Sequence, residues 1–190
     1  MSLIPLVEGQ SEAESVPVLL RRIVPDFPIA RPFRIKRNKI VVPGELERAV
    51  RVAVSDRPNP SCILLLIDAD DDCPAELGPA LLDRCERATQ LPAAVIVANR
   101  EIEAWFLGGI DSLRGVRGIR FDASWDGDPE APRGAKGRLE ELMTSGRSYV
   151  TVDDQPALMS ALDIDLASQR CPSLNKFLRD VKRITARARQ

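Results

Sequence analysis

The chain has 190 residues, 44% hydrophobic and 29% charged, with a net charge of −1. This is the balance of a soluble protein with one full core, too short for two ordinary domains, and no apolar run approaches the roughly 20 residues needed to span a bilayer. The absence of histidine excludes Ser-His and Cys-His nucleophile pairs and the commonest general base, so any catalysis falls to carboxylates, lysine or a metal.

In chain order, Leu3 to Val7 reads as a short buried strand. Ser11 and Glu14 follow in the spacing of a helix capping box, ahead of a helix from about Glu12 to Ile23 that contains Pro17. Arg34 to Lys39 is expected to be extended, and Pro43 to Val54 repeats apolar residues at helical spacing. Cys62 to Ile67 is the clearest strand, followed by a helix from about Leu77 to Ala88. "AAVIVA" (93–98) is another all-apolar strand, and "NREIEAWFLG" begins a helix closed by Gly108 and Gly109. Beyond Ser112 come a Gly-, Asp- and Pro-rich loop from Asp122 to Gly134 and helices near Lys136 to Thr144, Gln155 to Leu162 and Ser173 to Ala188.

Alternation of strands and helices, with strands apolar throughout, predicts an α/β fold whose mostly parallel sheet is buried on both faces by helices. Residues 1–111 are read as its core and residues 112–190 as a loop and helical extension packed on it, one domain in all. The start of the chain lacks a basic stretch ahead of a longer apolar run and a small-residue cleavage site, which predicts a cytoplasmic protein. Cys62, Cys73, Cys85 and Cys171 have no CxxC spacing, so they are expected to be reduced thiols rather than zinc ligands.

The chemistry concentrates at strand ends. "IPLVEGQSEAE" puts Glu8 where the first strand stops, and "CILLLIDADDD" ends its strand in Asp68, Asp70, Asp71 and Asp72. Glu101 and Glu103 lie just past the next strand. Ligands of open parallel sheets bind outside the carboxyl ends of the strands, so five carboxylates, Glu8, Asp68, Asp70, Glu101 and Glu103, are expected on one rim. At about 4 Å each pair repels by about 4 kcal/mol for an effective dielectric near 20, so the cluster needs a cation. Oxygen donors suit Mg²⁺ or Mn²⁺, whose remaining sites take phosphate oxygens. Each group also has a plain structural use: Glu8 as a turn residue, Asp70 to Asp72 as a solvated loop or helix cap, and Glu101 and Glu103 as partners of a helix dipole.

Strand-Glu-Gly before a helix, then apolar strand-DxD, resembles the Toprim domain of topoisomerases, bacterial primases, recombination-mediator proteins and overcoming-lysogenization-defect (OLD) family nucleases. "LVEGQSE", "LIDADDD", "NREIEAWFLG", "GAKGRLEEL" and "SYV" are together similar to a bacterial family of small stand-alone Toprim-like proteins catalogued as a domain of unknown function. The resemblance implies a Rossmann-like Toprim fold, Glu8 as an acid/base or metal-organising group, Asp68 and Asp70 as metal ligands, and Asp72 as a contributor through water. It further implies Glu103, with Glu101, at a second metal position, and Lys136 near a phosphate. No G-x-x-x-x-G-K-[ST] occurs, so an ATPase would have to act in trans.

Arg31, Arg34, Lys36, Arg37 and Lys39 form an acid-free run suited to a phosphodiester rail or to a charge-protected strand edge. The last helix carries Leu174, Phe177, Leu178, Val181 and Ile184 at helical spacing, with a basic opposite face. Trp105 is read as core rather than as a base-stacking platform. The first functional expectation is a Mg²⁺- or Mn²⁺-dependent nuclease acting on nucleic acid, without membrane contact, in a bacterial defence or mobile-element system. A non-catalytic subunit binding nucleic acid or protein is the second, and a DxD phosphatase using Asp153 and Asp154 as a late acidic motif the third.

Overall fold

Four strands, β1 (Ser2–Val7), β2 (Phe33–Arg34), β3 (Pro60–Asp68) and β4 (Ala93–Ala98), form one all-parallel sheet in the order β2-β1-β3-β4. The computed structural model describes residues 1–131 and 133–190. From β1 the chain moves outward to β2, then returns past β1 to β3 and β4. The strand order therefore reverses between β1 and β3, which is where such sheets form a crevice at their carboxyl edge.

Successive strand side chains point to opposite faces, and both faces are covered. Ile4, Leu6, Ile63, Leu65, Val95 and Val97 face one core with α3 (Glu45–Ser55) and α4 (Pro74–Ala88). Leu3, Val7, Leu64, Leu66, Ala94 and Ile96 face the other, with α1 (Gln10–Ile23) and α9 (Pro172–Arg187). Burying one such side chain fully contributes about 1.5–3 kcal/mol, so continuous apolar strands are stable only between two helical layers.

The second core is shared with the carboxyl-terminal part, built from α5 (Ala104–Gly108), a 3₁₀ turn (Ile110–Leu113), α6 (Ala135–Glu141), α7 (Thr151–Ala161) and α8 (Ile164–Arg170). Arg22 on α1 donates to the carbonyls of Met159 and Leu162, both at 2.7 Å, tying α1 to the end of α7. Trp105 is fully buried, meets Phe177 edge-on at 5.5 Å and donates Nε1–H to Ser173 Oγ at 2.7 Å. It is core, as read.

Several local expectations change. Of Arg34 to Lys39, only Arg34 is in a strand; Arg37–Ile40 form a helical turn, α2. Its carbonyls at Ile40 and, just beyond, Val42 are held by Arg84, which also pairs with Glu47 at 2.8 Å. The capping box closes two residues earlier than predicted: Gly9 is the N-cap and the Glu12 carboxylate accepts its N–H at 2.8 Å, while Glu14 bonds Gln10 on the surface. α1 continues through Pro17, which is buried. α8 has no counterpart among the predicted helices. It explains Gly108 and Gly109: a Cβ on Gly108 would stand 2.4 Å from Cys171 Sγ, and one on Gly109 2.4 Å from Leu162 Cδ1. These glycines permit close passage of the chain around α8 rather than a left-handed helix end.

Candidate metal and phosphate site

The Leu6–Leu65 register, extended two residues, sets Glu8 beside Ile67, one position short of Asp68. Across this step the Glu8 Oε1 accepts the Asp68 N–H at 3.0 Å. On its other side β3 pairs Asp68 with Ala98, and the Asp68 Oδ1 accepts the Ile102 N–H at 2.9 Å in the loop leading to α5. Three strand ends are thus linked through two carboxylates. Asp70 adopts a left-handed backbone, φ 51°, with its N–H bonded to the carbonyl of Arg100, itself left-handed at φ 64°. Paired strained residues of this kind recur at functional sites.

Glu8, Glu12, Asp68 and Asp70 line one cleft of about 370 Å³ with Lys36 and Arg37. Burial raises the Glu8 pKa, against the opposing Asp68 N–H bond and Arg37, and Asp70 and Glu12 raise it further. Asp68 is pushed well above the ordinary carboxylate range, first by burial and then by Glu103, Glu12 and Glu8. Glu103, 5% exposed, is pushed up to about 7 by burial and by the charges of Glu101 and Glu12, with Lys136 opposing. These are carboxylates that resist ionisation until a cation joins them.

The cation present is Arg37. Its guanidinium donates to the Asp68 carbonyl at 2.7 Å and to Asp72 Oδ2 at 2.5 Å, and lies 3.9 Å from Glu8 Oε1. Among the described residues, no group of three or more Cys, Asp or Glu side chains stands in metal-cage geometry. The donor set nonetheless fits a hard divalent ion: oxygen atoms only, within one cleft, with the proton affinities of Glu8 and Asp68 raised.

The predicted residues divide by place. Glu8, Asp68, Asp70, Lys36 and Arg37 meet at the cleft. Asp72 is engaged by Arg37. Glu101 is turned to α6, where its Oε2 accepts the Lys136 N–H at 2.9 Å. The Lys136 ammonium lies 6.0 Å from the Tyr149 ring. Arg34 is exposed at the end of β2, and Lys39 turns to Glu45 at 3.6 Å. The basic end of α9 lies away from the cleft: Arg189 covers Phe27 at 5.6 Å, and Pro28 bonds Leu3 at the opposite end of β1. Asp154 is sealed under Arg117 and Arg147, both at 2.7 Å, and does not line the cleft.

Glu12 was not among the predicted site residues. Its E-x-x-x-E spacing from Glu8 was the available signal, since once the helix starts at Gln10 the two carboxylates flank one turn. Tyr149 was also missed. It is buried, its hydroxyl makes no hydrogen bond of ordinary geometry, and its pKa is raised by burial and by the neighbouring Glu103.

Comparison with known proteins adds two findings. The family model described as "Domain of unknown function (DUF4276)" matches residues 7–182. The C-terminal region of the Xanthomonas campestris pv. campestris OLD protein has a similar fold, with a TM-score of 0.50 at 17% identity, over 99% of this chain and 98% of that one. No curated protein matches the sequence.

Proposed function

The chain belongs to the DUF4276 family, and we propose on that footing that it is a Toprim-type, Mg²⁺- or Mn²⁺-dependent hydrolase of nucleic-acid phosphodiesters, working beside a separate ATPase. One observation carries the reading: Glu8, Asp68 and Asp70 converge from adjacent strand ends, with Glu12 from the first turn of α1, on one cleft at the β1–β3 reversal. The motif resemblance to OLD family nucleases and the fold similarity to an OLD C-terminal region support it.

In this reading Asp68 and Asp70 are the principal metal ligands, with Glu8 and Glu12 on the α1 side of the cleft and Glu103 nearest a second position. A bound divalent ion would supply charge neutralisation at the phosphate and activation of water. The chain's own residues do the rest. Glu8 is held by the Asp68 N–H, so its second oxygen is the one left to take a proton from an attacking water. Arg37, anchored on the Asp68 carbonyl, is placed to meet a non-bridging phosphate oxygen by exchanging its contact with Asp72. Leu66, Ile67 and Ile102 form the apolar side of the cleft and limit water.

The test is cleavage of plasmid or single-stranded DNA with Mn²⁺. Glu8→Gln and Asp70→Asn should each abolish it without lowering the melting temperature; undiminished cleavage in both sinks the reading. A non-catalytic subunit is favoured by one observation, the occupation of the cleft by Arg37, and it predicts binding without cleavage in any divalent ion. The phosphatase alternative is weakened at one of its two late acids, because Asp154 is enclosed by two arginines.

A further inference from the structure

On the far side of Asp70 lies a smaller cleft of about 160 Å³, lined by Asp70, Asp71, Arg100, Glu101, Arg133 and Gly134. Asp70 borders both this cleft and the larger one, so the two form neighbouring stations along the carboxyl edge of the sheet. Arg100 leaves β4 in its left-handed conformation and donates to the Asp70 carbonyl at 3.0 Å and to Asp71 Oδ1 at 3.3 Å. Arg133 comes from the loop before α6 and meets the same Asp71 oxygen at 2.6 Å. Two guanidinium groups from distant segments therefore share one carboxylate. Asp71 and Arg133 are 69% and 72% exposed, so water screens this pairing and it is a weak reason for the arrangement.

Arginine forks match phosphate as well as carboxylate, and exchange of the Asp71 carboxylate for a phosphate would leave both guanidinium groups paired. We propose that Arg100 and Arg133 form a phosphate-binding station next to the acid cleft, contacting the substrate strand's backbone beyond the reacting phosphodiester, with Asp71 as the internal anion that holds them when no strand is bound. Lys36 and Arg37 stand on the β2 side of the acid cleft and this pair on the β4 side, so the strand crosses the sheet edge from one to the other. The inference rests on the phosphodiester reading for the identity of its ligand.

The experiment is a titration of the full chain with a fluorescently labelled, mixed-sequence single-stranded DNA, read by anisotropy in Ca²⁺ over a salt series. Replacing both arginines by alanine should weaken binding about tenfold and reduce the slope of log K against log salt by about 1 to 2, as expected for two lost phosphate contacts. Arg100→Lys with Arg133→Lys should recover most of the slope. Asp71→Asn should tighten binding severalfold, because it releases both guanidinium groups. Unchanged affinity in the alanine variant overturns the proposal, as does an Asp71→Asn variant that melts lower and binds no tighter, which would make Asp71 a simple loop clamp. No binding by the unmodified chain also overturns it. Hydrolysis of bis(p-nitrophenyl) phosphate with Mn²⁺, which needs no strand contact, reads the acid cleft separately; its absence counts against the hydrolase reading and leaves the salt-slope result standing.

Discussion

Glu8 and Asp68 meet through a carboxylate and a backbone amide: Glu8 Oε1 accepts the Asp68 N–H at 3.0 Å, while the Asp68 carboxylate is directed to Ile102 N–H at 2.9 Å. Each side chain is thereby fixed by a neighbouring strand end, and the site inherits the rigidity of the sheet. Their negative charges are left for Arg37 or a metal to balance.

Neutral isosteres at these positions keep the accepting oxygen and remove the buried charge. Asp68→Asn should therefore leave the metal-free melting temperature unchanged or higher, because burial already disfavours the ionised form. Divalent-dependent hydrolysis should fall by about 100-fold or more. Calorimetry with and without Mn²⁺ checks both halves; a lower metal-free melting temperature would contradict this account of Asp68.

The raised acid at Glu103 gives a signed pH dependence. Its folded pKa of about 7 lies above the ordinary 4.5, so the folded state holds the proton more tightly than the unfolded chain. Its contribution to metal-free stability is full below about pH 4.5 and is lost as pH rises through about 7. Divalent ions bind the ionised form, so the gain in melting temperature on adding Mn²⁺ should be small near pH 5 and reach its plateau above about pH 7. Melting curves across this range are the check, and a pH-independent gain would rule the coupling out.

The Arg84 clamp positions α2, and with it Arg37. Arg84→Ala leaves the Ile40 and Val42 carbonyls and the Glu47 carboxylate without their donor, at a cost of about 2 kcal/mol. Glu47 has its pKa lowered to about 2, chiefly by the Arg84 hydrogen bond. Its stabilisation is present above about pH 4.5 and lost as pH falls toward 2, so the variant should also lose that part of the acid-side slope. Denaturant titrations at neutral and acid pH measure both effects.

Gly108→Ala sets a methyl group 2.4 Å from Cys171 Sγ and should destabilise by about 1–3 kcal/mol through overpacking. Trp105→Ala should cost about 3–5 kcal/mol, with strand affinity per folded molecule unchanged. Lost affinity in a folded Trp105→Phe variant would return this side chain to the binding surface.

Residues that act through local order were readable in the sequence. An all-apolar run of strand length has few stable environments other than a sheet covered on both faces, so β1, β3 and β4 and the acids at their ends followed from composition and spacing. The Arg31–Lys39 run was harder, because its charge pattern fits a strand edge and a helical turn equally. Arg84, forty-seven residues beyond Arg37 in the chain, supplies the contacts that hold the turn. Glu12 was hidden by a two-residue ambiguity in where α1 begins, and the Asp71 partners by their separation in sequence.

By itself, then, the order of residues determined the three long strands β1, β3 and β4, that they lie parallel between helices, and which acids stand at their ends, since these follow from nearest-neighbour hydrophobic patterning. Only the tertiary structure decided how those acids are shared out: Asp68 and Asp70 to the cleft, Asp72 to Arg37, Asp71 to Arg100 and Arg133, Glu101 to α6. The physical reason is that a charge settles where its compensating partner lies, and every one of these partners comes from a segment distant in the chain, brought near by strand order and packing.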